Sequence, residues 1–153
     1  MRSVYDALSF VTALFSSRGT VTITDTTLYT SATIDTKGFN SAVLRAHGGM
    51  DNSACTTFPI AVLLTESAAS SSGFAAANDN TGTQIQVNLD VHAADADGEA
   101  RIEGLNVNRL RYFRVTMQAG SITGGSSPAS KTWCEIVLGR AYQLPADSTV
   151  SNT

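Results

Sequence analysis

The sequence is poor in the groups that usually carry chemistry. It holds two cysteines, Cys55 and Cys134, in 153 residues, too few for a disulfide framework. Unless the fold brings them together, they read as reduced thiols of a protein made in the cytoplasm. It also holds only two histidines, His47 and His92, each in or beside a turn, with no carboxylate or nucleophile at a motif spacing. No G-x-S-x-G, H-E-x-x-H or glycine-rich phosphate loop is present. Neither catalytic residues nor a cofactor site is therefore expected, and an enzyme is the least supported class. Charge is scarce as well: 15% of residues are charged and the formal net charge is -3. That argues against a nucleic-acid binder, whose affinity comes mainly from neutralising phosphates. No apolar run is long enough to span a bilayer. The N-terminal segment around Val4, Leu8 and Val11 imitates a signal peptide only faintly, because Asp6 interrupts it and no small-x-small cleavage site comes after it.

What remains is a chain long enough to bury a core. Hydrophobic residues make up 42% of it, which argues against disorder. Of its ten basic residues, eight are arginine, the cation favoured where a planar group pairs across protein contacts. Abundant Ser, Thr, Ala and Gly between apolar runs suggests an all-β chain with polar loops.

The organising stretch is Asn108 to Met117, with Leu110 and Tyr112 at even positions and Phe113, Val115 and Met117 at odd ones. Successive side chains of a strand point to opposite faces, so both faces here are apolar, as in the middle of a sheet. Leu110, Tyr112, Phe113 and Val115 are thus expected in the core, with the arginines at 109, 111 and 114 reaching solvent over packed stems. Other strands are expected at 20–24, 28–34, 39–46, 58–65, 84–91, 99–105 and 131–142. The continuous apolar run Phe58 to Thr65 predicts a strand covered on both faces or at an interface, and Gln84 to Val91 alternates with period two. Turns are expected at 35–38 and 95–98, and flexible loops at 66–73 and 120–130. The expected fold is an all-β, two-sheet antiparallel β-sandwich, a jelly roll of about eight strands over residues 20–145. An N-terminal arm (1–19) precedes it and a C-terminal tail (146–153) succeeds it. The arm either packs on the sandwich or reaches a neighbour through Val4, Tyr5, Leu8, Phe10 and Val11. The polar tail buries too little to order itself and is expected to lean on neighbouring chains.

Two constellations invite a sharper reading. Asp95-Ala96-Asp97-Gly98-Glu99 groups three carboxylates, but lacks the other ligands of a calcium loop and reads as a solvated turn. No metal is expected. Trp133, Tyr112 and Phe113 are candidates for a sugar-binding face, although aromatics at strand positions are usually core.

Several stretches together resemble small structural proteins of tailed bacteriophages. Ile34-Asp35-Thr36-Lys37-Gly38-Phe39 is similar to their I-D-T-K-G-[YF] opening. Leu64-Thr65-Glu66-Ser67 is similar to their strand-end E-S, with a Ser/Gly loop and Gly73-Phe74 after it. Arg111-Tyr112-Phe113-Arg114-Val115 resembles their R-Y-x-R-V strand, and Ile136-Val137-Leu138-Gly139 with Pro145 their closing segment. The resemblance spans most of residues 20–145. It implies a jelly-roll capsid decoration (cement) protein on the virion surface, made in the host cytoplasm. Such a protein binds the major capsid protein, links capsomers and often forms trimers, with no nucleic-acid or membrane partner. The alternatives are a carbohydrate-binding host-adhesion module, which needs an exposed aromatic or a polar pocket in loops 66–80 or 120–131, and a head–tail connector or minor tail protein. R-Y-x-R-V also recurs in discoidin-like sandwiches, but their bracketing cysteines are absent here.

Overall fold

A computed structural model describes residues 10–13, 20–50, 54–105 and 108–141. Among the described residues thirteen strand segments run in chain order: β1 (Phe10–Ala13), β2 (Thr20–Ile23), β3 (Tyr29–Thr30), β4 (Ile34–Asp35), β5 (Phe39–Gly48), β6 (Cys55–Thr57) and β7 (Pro59–Ser67). Then come β8 (Ala75–Ala76), β9 (Gln86–Asp90), β10 (Ala96–Glu103), β11 (Tyr112–Ala119), β12 (Thr123–Gly124) and β13 (Ser130–Ala141). All pairings are antiparallel.

Several segments are halves of one broken strand. β1 and β2 lie along successive stretches of β13, β3 and β4 along β11, and β8 and β9 along β7. Counted that way, sheet A runs β1/β2, β13, β5, β10, and sheet B runs β3/β4, β11, β7, β8/β9. Each sheet then has four strands, and the eight pair in a nested way. The fourth pairs with the fifth, the third with the sixth, the second with the seventh, and the first with the eighth. A long hairpin rolled up on itself gives that order, which is the jelly roll. β6 and β12 form a separate two-stranded ribbon.

The core lies between the sheets and is set by parity. Ala42, Leu44 and Ala46 of β5, Cys134, Ile136 and Leu138 of β13, Ile60, Val62 and Leu64 of β7, and Phe113, Val115 and Met117 of β11 are all buried. β11 has a neighbour on each side, β7 and β3/β4, as expected of a mid-sheet strand. Its inward residues Phe113 and Val115 are fully buried. Tyr112, by contrast, is half-buried on the outer face, and Leu110 stands before the strand with 44% of its surface exposed. The strand begins only at Tyr112, and the Leu110 N–H is taken by Glu66 Oε2 at 3.1 Å. Arg109 also departs from expectation. Its side chain is 9% exposed and paired with Glu66, itself 14% exposed, at 3.5 Å.

Three boundaries differ from the expected ones. The 28–34 strand breaks into β3 and β4 because Ser31 takes over the ladder there: Ser31 N donates to Val115 O and Val115 N donates to Ser31 Oγ, each at 2.9 Å. Of the expected 95–98 turn, residues 96–98 instead open β10, with bends preceding it at 92–94. At the N-terminus, Phe10 and Val11 belong to β1 and pair with Leu138 and Val137 of β13, so the sheet begins inside the expected arm. Val4, Tyr5, Leu8 and the tail 146–153 lie outside the described residues.

The sheets approach closely at one corner. Across β5 and β10 the inward pairs there are Gly48–Ala96 and Ala46–Gly98. A methyl group built on Gly48 or Gly98 would meet Val91 or Val87. Small residues on sheet A thus let β9 and the adjoining Val91 of sheet B press against them.

Candidate functional site

Most motif residues of the sequence gather around β11 in sheet B, while Phe39 opens β5 and residues 136–139 lie on β13 in sheet A. In the turn before β5, Asp35 Oδ1 accepts the Lys37 N–H at 3.0 Å and Gly38 takes φ 92°, a conformation that favours glycine. Asp35 also grips Arg111 in a two-point pair, from Nε at 2.8 Å and from Nη2 at 2.5 Å. That guanidinium holds the Asp35 carboxyl below the usual carboxylate range. Thr36 donates through both N and Oγ1 to Arg111 O. Arg114 Nε donates to Thr33 Oγ1 at 2.9 Å, and its guanidinium lies 4.1 Å from the Phe74 ring centroid. Ser67 Oγ donates to Ser72 O and accepts the Ala69 N–H, folding the loop that leads to Gly73 and Phe74. These residues are bound to one another, and their arrangement is architecture.

The other concentration of functional groups is on the outer face of sheet A, and pairing builds it. Adjacent strands set Asp97 beside His47 and His47 beside Trp133 in one row. The next row is Glu99, Arg45 and Glu135. His47 Nδ1 donates to Asp97 Oδ1 at 2.7 Å. The His47 and Trp133 rings stack with centroids 5.9 Å apart and planes 26° from parallel. Arg45 lies between Glu99 and Glu135, at 3.9 Å and 3.8 Å. Arg45, Ala46, Asp97, Gly98, Glu99 and Trp133 line an open depression of about 310 Å³.

Of the three candidate aromatics, only Trp133 is placed to meet a ligand in this depression. Phe113 is core, and Tyr112 lies on sheet B with the Arg111 guanidinium 4.9 Å from its ring. The depression is also on a sheet face, not in loops 66–80 or 120–131. Parity was the available signal: Trp133 shares its side of β13 with Lys131 and Glu135, whereas Thr132, Cys134, Ile136 and Leu138 face inward. The partnership of His47 with Asp97 spans fifty positions, a separation at which no local motif operates.

Neither histidine sits in a triad-like arrangement. His92 Nδ1 donates to Asp90 Oδ1 at 2.7 Å, a local contact across two residues. In the acidic run, Asp95 Oδ1 accepts the Met50 N–H at 2.6 Å while Asp97 holds His47. Among the described residues no three His, Cys, Asp or Glu side chains come together as a metal site. Both cysteine side chains are buried, and no disulfide joins Cys55 to Cys134. Burial, with Glu135 alongside, pushes the Cys134 thiol up to about 12. Comparison with known protein families and with characterised proteins finds no match to this chain.

Proposed function

We infer that this protein is a virion structural protein, a capsid decoration protein that binds the major capsid protein on the outside of the head and links neighbouring capsomers. The observation that carries the reading is the agreement between sequence motifs and topology. The stretches resembling phage decoration proteins fall on a jelly-roll strand order. Asp35 and Arg111, drawn from two separate motifs, meet in one two-point pair. The protein acts by burying surface and not by chemistry. Each copy covering a standard contact of about 800 Å² per partner would help the shell resist packaged DNA. Trimers are the assembly the resemblance implies.

Copy number in purified virions tests the reading. A stoichiometry that scales with the major capsid protein, and density on the outer shell in a particle reconstruction, is the expected result. A single ring's worth of copies at one vertex would assign the protein to the connector or tail, and absence from the particle would end the structural reading.

A further inference from the structure

We propose that the depression beside Trp133 on the outer face of sheet A is a binding site for a neutral sugar ring of a glycan, stacked on the indole. The proposal stands apart from the capsid reading, since none of the residues that line the depression belongs to the motifs that carry that reading.

Three features of the depression select this ligand. The first is the aromatic itself. A half-buried tryptophan on the solvent side of a sheet presents a flat apolar surface, and the axial C–H face of a pyranose is flat and apolar too. The second is the mixture of charges. Asp97 and Glu99 supply acceptors and Arg45 supplies donors around one hollow. A cation there meets the guanidinium and an anion meets two carboxylates. A sugar hydroxyl both donates and accepts, so neutral vicinal hydroxyls use both signs at once. The third is shape. The floor is backbone at Ala46 and Gly98, whose inward orientation leaves no side chain rising into the hollow. A volume of about 310 Å³ is at the small end for ligand sites, roughly 300–1,000 Å³, enough for one or two rings.

The polar groups are also held before any ligand arrives. Asp97 fixes the His47 ring, which lies against Trp133, and Arg45 is flanked by Glu99 and Glu135. Side chains already ordered cost a ligand less to engage.

Trp133 is the sole tryptophan of the chain, so its fluorescence reports on this site and no other. The full-length protein is titrated with methyl glycosides of neutral hexoses and hexosamines and with their short oligomers. Glucose 6-phosphate and a lysine-rich peptide serve as the anionic and cationic probes. A saturable change in emission with at least one neutral saccharide in the millimolar range is expected, and neither charged probe should compete with it. By calorimetry, Glu99→Gln should weaken that binding about tenfold, and Trp133→Ala should abolish it. Circular dichroism checks both variants for folding, and Trp133→Phe, expected to bind weakly, keeps the test valid if the alanine variant misfolds. The proposal is overturned by no saturable response to any neutral saccharide, by unchanged binding in folded Trp133→Ala, or by saturation with the lysine-rich peptide alone. That last result would mark the hollow as a protein-docking surface.

Discussion

Single residues show which positions are structural. Phe113 is fully buried between the sheets, and Phe113→Ala should cost about 3–5 kcal/mol, read as a lower denaturant midpoint at unchanged slope. Cys134 gives a second reading of the same core. Its raised pKa means that the folded chain keeps the thiol protonated where the unfolded chain has begun to ionise. Its contribution is fully present below the ordinary thiol range, near 9.0, and is lost as pH rises from there toward about 12. Both thiols should resist a thiol reagent at neutral pH in the native state and react after unfolding without prior reduction. A requirement for reductant would show a disulfide in solution. Gly98 tests the sheet contact: Gly98→Ala forces its new methyl against Val87 and should destabilise by about 1–3 kcal/mol.

At the scale of elements, two ion pairs beside β11 look alike in sequence and differ in environment. Asp35–Arg111 is about half exposed on both sides, so its net worth is at most about 1 kcal/mol. The Asp35 carboxyl is held below its ordinary range, so the stabilisation is present above that range and fades as pH falls through the lowered value. Arg109–Glu66 is nearly buried, and Arg109 Nε has no hydrogen-bond partner among the described residues. Glu66→Ala would strand that guanidinium without its carboxylate and should cost about 3 kcal/mol. Urea denaturation of Asp35→Asn and Glu66→Ala side by side decides the ranking, and a larger loss for Asp35→Asn would refute it.

The same element shows what sequence reading can and cannot reach. Parity is legible along β9, where residues 84–91 alternate, but not along β7 and β11, whose apolar residues fall on both faces; the eight-strand sandwich follows from counting such apolar runs. Leu110 reads as part of the strand because an apolar residue next to a strand looks like part of it, whereas the strand starts at Tyr112 and the Leu110 N–H goes to Glu66, forty-four positions earlier. Trp133 reads as core on its residue type, though its parity with Lys131 and Glu135 points outward. His47 and Asp97 come together only through the register of β5 with β10, which no local pattern encodes. The turn at Asp35 to Gly38 was legible because its chemistry is local: an Asp that caps and a glycine that takes positive φ.

On the scale of the whole molecule, the proposed capsid role raises the question of what would tie copies to the shell, and β1 changes how it is asked. Phe10–Ala13 pairs with Glu135–Leu138 as the outer end of sheet A. A deletion of residues 2–16 therefore removes a strand as well as an arm and leaves that stretch of β13 with an open edge, a hazard for aggregation. A deletion of residues 2–9 keeps the strand and removes Val4, Tyr5 and Leu8, which carry more apolar surface than a free segment should expose. If those three side chains anchor the protein to a neighbouring subunit, the shorter deletion should melt like wild type yet show reduced occupancy on purified particles. The longer one should lose occupancy and some thermal stability together. Circular dichroism melting and particle occupancy separate the two effects. Full occupancy of the folded 2–9 deletion would exclude Val4, Tyr5 and Leu8 as the anchor and move the proposed capsid contact to β1, the sandwich loops or the tail.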